Sequence, residues 1–426
     1  MPARKALICT YGSHGDVEPF VALAKGLQAS GVEVLLATSE RFADWVGLYG
    51  VPFFPMSDKS LATIDSEDGK TMLEGSSGWL KRVAAGIRLA KESGPINKEL
   101  MAQTWEAANG FRSDVIIFHV KLFAAPHVAE KLGVPAILGT LQPMIVPTAA
   151  FPILGLPQLP LPGYNRLTYA LVRSGMAMFR KAINRFRKDA LGLPPVGRGN
   201  HVLFPPGVGT IPVLHAVSPH VLPRPTDWPD SAHVTGYWRL DRAKDYTPPP
   251  ELAAFLESGP PPVFVGFGSM TSADPKMLGR LVTGALRKAG QRGVVAKGWV
   301  ELEVEGSGDI IAIDPVPFDW LFPRMAAVVH HGGAGTTAEG FHAGVPCVIC
   351  PFFGDQPGWA RLSVELGVGA TPVPRKRLSE DALAASIREA ISDATLRENA
   401  KRLAQKLRKE DGVKAAVDMI VRVMQS

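Results

Sequence analysis

The chain has 426 residues, 46% hydrophobic and 20% charged, with a net charge of +6 and a pI near 9.2. That length exceeds one ordinary core and predicts two domains of roughly 200 residues each. No run of about 18 uncharged apolar residues occurs, which excludes a spanning helix. The positive charge is mild, and outside 166–188 it lacks the clustered basic and aromatic residues of a nucleic-acid surface. Anionic small molecules or an anionic membrane surface are simpler partners.

KALICTYG enters a strand directly, without the apolar core and cleavage site of a signal peptide. Three cysteines fit a reducing compartment, so a cytoplasmic protein is expected. Cys347 and Cys350 have CxxC spacing, but they sit in an apolar run without a second ligand pair and read as buried strand residues.

Residues 6–38 read as strand, glycine-bearing loop, helix and strand, with Phe20, Leu23, Ala24 and Leu27 at helical spacing facing a sheet. Pro19 suits the first helical turn and Gly31 ends the helix. Such a unit starts a parallel α/β sheet whose ligands gather at the carboxyl ends of its strands, where His14 and Asp16 lie. Residues 57–69 read as a polar surface loop, 79–108 as a helix, 114–119 as a buried strand, then a helix and the strand VPAILGTL. Between Pro143 and Tyr164 six prolines punctuate an apolar stretch, which predicts an irregular loop lining an apolar site or packed on the surface. Residues 165–190 predict one basic helix, with Leu167, Leu171, Met178, Phe179 and Phe186 apolar. Either its polar side is simply solvated or it lies on anionic lipid as a peripheral contact.

Proline enrichment near 236–250 marks a break. It divides the chain into domains at 1–238 and 250–408, followed by an amphipathic terminal segment, 409–426. The second half opens with PVFVGFGSM, a helix over 275–289 and the strand GVVAKGW. At 328–356, VVHHGGAGTTAEGFHAGVPCVICPFFGDQ predicts a buried strand at 327–330, a glycine turn, a helix over 336–342 and a strand over 347–352. A helix entered through Gly332, Gly333 and Gly335 presents free N–H groups and a positive dipole end, a phosphate site. Gly268 and Ser269 can add N–H and hydroxyl groups, His331 can donate to an α-phosphate, and Thr336 and Thr337 to a β-phosphate. Glu339 is within reach of ribose hydroxyls, and Asp355 with Gln356 of sugar hydroxyls. Gly333, Gly335 and Ala338 also satisfy GxGxxA with Asp355 at the spacing of a dinucleotide fold, which keeps an NAD-dependent oxidoreductase open. Asp16 likewise reads as either a helix cap or a proton acceptor.

The stretch from His330 to Gln356 resembles the donor-binding signature of family-one, GT-B-type glycosyltransferases. GSHGDVEPFVALAKGL resembles the N-terminal loop and helix of sterol glucosyltransferases and vancomycin-group antibiotic glycosyltransferases, and 119–152 with VPFDWLFPRM resembles the sterol branch. The resemblance implies two Rossmann-like α/β domains across a cleft, with the last helix crossing back to the first domain. It assigns the pyrophosphate to His331, Gly333, Gly335 and Thr336, with Gly268 and Ser269 as a phosphate loop and Val316, Ala334 and Thr337 also among the donor-binding residues. Glu339 goes to the ribose, Asp355 and Gln356 to the hexose, and Asp16 to the catalytic base, with His14 placed to orient or share its proton. Gly12, Ser13, Pro143, Met144 and Phe151 go to the acceptor. The implied reaction moves a hexose from UDP-glucose to a hydroxyl of an apolar acceptor (a sterol, terpenoid, polyketide or flavonoid) with inversion. The nucleotide sugar is a co-substrate, and no cofactor or metal is expected. Natural-product transfer from a dTDP-sugar, nucleotide-sugar epimerisation and non-catalytic nucleotide-sugar binding are the alternatives.

Overall fold

The computed structural model describes residues 4–65, 79–244, 246–268, 275–297 and 308–425. The chain forms two compact units. Unit 1 comprises Met1–Pro152, Gln158–Leu240 and Asp411–Ser426, and unit 2 comprises Ile153–Pro157 and Asp241–Glu410. The inclusion of 153–157 in unit 2 has no counterpart in the sequence pattern.

Unit 1 is built on a seven-stranded parallel sheet of β1 (Lys5–Cys9), β2 (Glu33–Ser39), β3 (Phe53–Met56), β4 (Val115–His119), β5 (Ala136–Thr140), β6 (Val213–His215) and β7 (Ala232–Val234). The order is β3-β2-β1-β4-β5-β6-β7, so the winding reverses between β1 and β4, whose register pairs Cys9 with Phe118. β1, β4 and β5 are continuous apolar runs because helices cover both faces of a parallel sheet. Helix α1 (His14–Ala29) buries Phe20, Val21, Leu23, Ala24 and Leu27 at 3–4-residue spacing. Helix α2 spans Trp79–Phe111, and α3 (Ala125–Leu132) is closed by Gly133 in the left-handed conformation.

Three expectations change here. The polar stretch 57–69 contains a short helix, Lys59–Asp65, and its remainder lies outside the described residues. The single basic helix over 165–190 is instead α4 (Tyr164–Ala177), α5 (Arg180–Phe186) and a π turn, Arg187–Leu191; the two helices are offset where Phe179 stacks on Phe123 with centroids 4.7 Å apart. Its apolar residues divide: Phe179 and Phe186 join the core, whereas Leu167, Leu171 and Met178 are exposed.

Unit 2 repeats the plan with β8 (Val263–Gly266), β9 (Gly293–Ala296), β10 (Ile310–Ile313), β11 (Ala327–His330) and β12 (Cys347–Ile349) in the order β10-β9-β8-β11-β12, all parallel. The reversal falls between β8 and β11. Helix α6 spans Pro275–Ala289, α7 Ala334–Ala343, α8 Gln356–Glu365, α9 Glu380–Ser392 and α10 Ala394–Leu407. β12 ends earlier than its apolar run, since Pro351 cannot continue the ladder after Cys350 N–H bonds the His330 carbonyl at 2.8 Å. Cys9, Cys347 and Cys350 are buried free thiols, each pushed up to about 12 by burial.

The last helix, α11 (Gly412–Val423), packs on α1 of unit 1. It buries Ala416, Val417 and Ile420, and Val417 and Ile420 contribute about 1.5–3 kcal/mol each by leaving water. Gly26 makes the approach possible, because a Cβ there would collide with Val413 Cγ1 and lie 3.1 Å from Val417 Cγ2. Gly26→Val is therefore expected to cost about 1–3 kcal/mol by overpacking and to lower the melting temperature by several degrees. A thermal melt indistinguishable from the parent's would contradict this docking.

Candidate active site

In an open α/β sheet the loops after two strands diverge where the order reverses, leaving a crevice at the strands' carboxyl ends. In unit 1 those are the loops after β1 and β4. Ser13 is the N-cap of α1 and Asp16 its third residue, so the two form a capping box. Asp16 Oδ2 accepts from Ser13 N–H (2.8 Å), Ser13 Oγ (2.9 Å) and Lys121 Nζ (2.8 Å). Thr10 Oγ1 fixes the turn by donating to the Asp16 carbonyl at 2.7 Å. Among the described residues nothing donates to Asp16 Oδ1, so one oxygen is held and the other is not.

Gly12 makes room for this cluster. Its φ is +142°, and a Cβ there would lie 2.6 Å from Lys121 Nζ and closer still to Asp16 Oδ2. Burial pushes the Asp16 carboxyl up, but the Lys121 ammonium and the hydrogen bonds from Lys121 and Ser13 outweigh it and hold Asp16 below its ordinary value. His119, the last residue of β4, is itself pushed down to about 4, first by burial. It is therefore neutral at pH 7, which leaves Lys121 as the counter-charge. Its ring meets Phe20 edge-on at 5.8 Å.

His14 does not join Asp16. Its Nδ1 pairs with Glu18 Oε2 at 3.0 Å and its ring packs on Trp45 with centroids 4.3 Å apart, one helical turn along α1. The proline-rich loop is more enclosed than a lining loop. Pro143 is buried, Ile145 and Val146 join the core, and Met144 and Phe151 are half-buried, with Phe151 edge-on to Trp228. Asp227 pins the loop by accepting from Thr148 Oγ1 (2.6 Å), Ala149 N–H (2.8 Å) and Arg166 (2.8 Å).

Unit 2 fills the equivalent crevice, between the loops after β8 and β11, with backbone donors. Gly333 is the N-cap of α7, and Thr337 N–H is the first to close on it, at 2.9 Å from the Gly333 carbonyl. The preceding N–H groups, of Ala334, Gly335 and Thr336, have no intrahelical acceptor. The His331 ring lies between two glycines: a Cβ on Gly268 (φ +59°) would come 2.7 Å from its Cε1, and one on Gly333 2.6 Å from its Nε2. Burial pushes His331 down to about 4, so at pH 7 it is a neutral ring with one N–H to give. His330 Nδ1 accepts from Gly332 N–H at 3.1 Å and shapes the turn.

Other assigned residues are already engaged. The Thr337 hydroxyl donates to the Gly333 carbonyl (2.9 Å) and is buried, so it turns inward while Thr336 stays half-exposed. Asp355 caps α8 and its Oδ2 accepts from Trp359 Nε1 at 2.7 Å. Gln356 Oε1 accepts from the Phe352 and Phe353 N–H groups (2.8 and 3.1 Å). Residues 153–157 pack on this loop, where Gly155 fits against Gly354, Gly358 against Leu154, and Arg361 donates to the Leu156 carbonyl at 3.2 Å. Glu339 is half-buried on α7, the Val316 side chain is buried, and Ser269 lies outside the described residues. Asp319 accepts from the Arg242 and Ala243 N–H groups (2.7 and 2.8 Å).

Residues 6–150 match the glycosyltransferase family 28 N-terminal domain, and 304–418 match the C-terminal domain of erythromycin biosynthesis protein CIII-like proteins. Sterol 3-beta-glucosyltransferase UGT80B1 of Arabidopsis thaliana is 36% identical over 98% of this chain and 68% of that protein. The chain belongs to the GT-B glycosyltransferases. The sterol 3-beta-glucosyltransferase of Candida albicans is 35% identical over 97% of this chain. This GT-B chain spans 68% and 65% of two Arabidopsis relatives but only 27% of the Candida protein. Among solved structures, the kitacinnamycin glycosyltransferase superposes with a TM-score of 0.73 at 21% identity, covering all of both chains. The glycosyltransferase VinC, solved with dTDP, gives 0.68 at 18%, covering 99% of each chain.

Sequence reasoning missed Lys121 and His119. Their signal was the end of the strand VIIFH, but only the strand order shows that β4 adjoins β1. The Asp16 charge favours the folded state above its unfolded value, and that contribution is lost as pH falls through its depressed folded value. In Lys121→Met, burial acts without the counter-charge, so the stability that Asp16 loses on acidification is expected to be smaller than in the parent. Superimposable pH–stability curves would contradict the pairing.

Proposed function

We propose that the protein is an inverting glycosyltransferase that moves glucose from UDP-glucose to the hydroxyl of a sterol or similar apolar alcohol. The observation that carries this reading is the Asp16 carboxylate, with Oδ2 held by Ser13 and Lys121 and Oδ1 accepting nothing among the described residues. A carboxylate so held stays ionised and points a second oxygen at a proton. The acceptor oxygen attacks the anomeric carbon, its proton passes to Asp16 Oδ1, the bond from that carbon to the phosphate oxygen breaks, and UDP leaves with the electron pair. One displacement inverts the centre. The sterol acceptor is suggested by the curated relatives, which are named as sterol glucosyltransferases.

The leaving pyrophosphate would be met by the N–H groups of Ala334, Gly335 and Thr336, by the helix dipole and by the neutral His331 N–H. Donors already aimed at developing charge stabilise it without reorganisation. Glu339 is proposed for the ribose, with Asp355 and Gln356 near the hexose. His14, tied to Glu18 and Trp45, serves the shape of the loop rather than proton transfer.

Asp16→Asn keeps an oxygen for Ser13 N–H but cannot take a proton. It is expected to melt within a few degrees of the parent and to lose about 10²–10⁴ in transfer rate, the usual contribution of a general base. Retained turnover would remove Asp16 from the role. For the donor, UDP-glucose at a hundred times its Kd is expected to stabilise the protein by about 2.7 kcal/mol in a thermal-shift assay. Protection by a dTDP-sugar but not by UDP-glucose would reassign the nucleotide.

A further inference from the structure

α4 carries two apolar stripes on opposite sides. Tyr169, Val172 and Met176 face inward on the core of unit 1, with Tyr169 3% exposed. At 100° per residue, Leu167, Leu171 and Met178 lie within about 40° of one another on the other side. They are 69%, 60% and 78% exposed. Leu159 and Leu161, in the turn that leads into the helix, are also exposed, and the Leu161 carbonyl accepts from Tyr164 N–H at 3.1 Å. Of nine exposed large hydrophobic residues among those described, five therefore fall within 159–178. Such side chains in water stabilise nothing in the folded monomer, and their concentration marks an interaction surface.

The charge around them identifies the partner. Residues 159–200 contain eight Lys and Arg and one acidic residue, Asp189. Arg187 is buried on Glu130 and Arg166 is paired with Asp227, which leaves Arg173, Arg180, Lys181, Arg185, Lys188 and Arg198 as the cations of this segment. Arg173 and Arg180 donate to the backbone carbonyls of Gly199, Gly197 and Asn200, which orient the guanidinium groups without neutralising them. Lys181, Arg185 and Lys188 are exposed on the next helix and turn. A protein partner would require a matching acidic, apolar groove, whereas an anionic bilayer offers both features over any area.

We propose that the outward face of α4, with Leu159 and Leu161 ahead of it, seats in the interface of an anionic lipid bilayer, with the surrounding Lys and Arg against its headgroups. Leucine and methionine side chains enter the acyl boundary while the basic residues neutralise surface charge. This goes beyond the proposed transfer reaction, since binding to lipid requires neither donor nor catalysis, and it gives an apolar acceptor a source next to the protein.

The test is co-sedimentation of the full chain with vesicles of phosphatidylcholine alone and of equimolar phosphatidylcholine and phosphatidylglycerol. The protein is expected to bind the mixed vesicles, to bind the neutral ones weakly, and to be released by salt. The triple substitution Leu167→Gln, Leu171→Gln and Met178→Gln replaces only exposed side chains, so its melting temperature should stay with the parent's. Its vesicle affinity should fall at least about tenfold. Lys181→Gln with Arg185→Gln and Lys188→Gln should weaken binding to the mixed vesicles only. Failure of the parent to bind mixed vesicles, or equal binding by the triple variant, would overturn the proposal. So would a concentration-dependent dimer that the triple variant abolishes, because a second copy would then own this face.

Discussion

Everything proposed for this protein depends on one topological constraint: each parallel sheet starts at an inner strand, winds outward, and resumes on the other side of where it began. The loops after the two inner strands must then part, and the gap between them is the one place on a parallel sheet where backbone and side chains can converge on a ligand without opening the core. Asp16 and Lys121 come together because β1 and β4 are neighbours, although 105 residues separate them in sequence. Gly268 meets His331 for the same reason, across β8 and β11.

The two crevices share geometry and differ in chemistry. Unit 1 concentrates full charges, a buried carboxylate balanced by one ammonium, with a buried neutral imidazole behind it. Unit 2 presents, among the described residues, N–H groups at a helix start and a neutral histidine ring. The first suits taking a proton, and the second suits holding an anion that must later depart. In both, glycine is required because a neighbouring side chain already occupies the Cβ position, that of Asp16 at Gly12 and that of His331 at Gly268 and Gly333.

The sequence made much of this readable. Apolar strand runs, the glycine turn before α7 and the loop before α1 are local patterns, and local patterns survive folding. What stayed hidden was set by tertiary pairing. Lys121 acquires meaning only when β4 is placed beside β1. His14, next but one to Asp16, looked like its partner, but helical geometry turns it toward Glu18, four residues on. Thr337 looked equivalent to Thr336, yet their hydroxyls differ by a helical step of about 100°, so that one faces the core. The stripe Leu167–Leu171–Met178 has the spacing of a core face, and periodicity cannot distinguish a face that packs on protein from one that packs on something else.

The central claim is that Lys121 holds Asp16 as a carboxylate ready to accept a proton. It is tested most directly by the pH dependence of kcat/KM for transfer in the parent and in Lys121→Met. The account predicts an acid limb below the ordinary carboxylate range in the parent and a limb displaced to higher pH in the variant, where burial acts without its counter-charge. Acid limbs that coincide in the two proteins would contradict it.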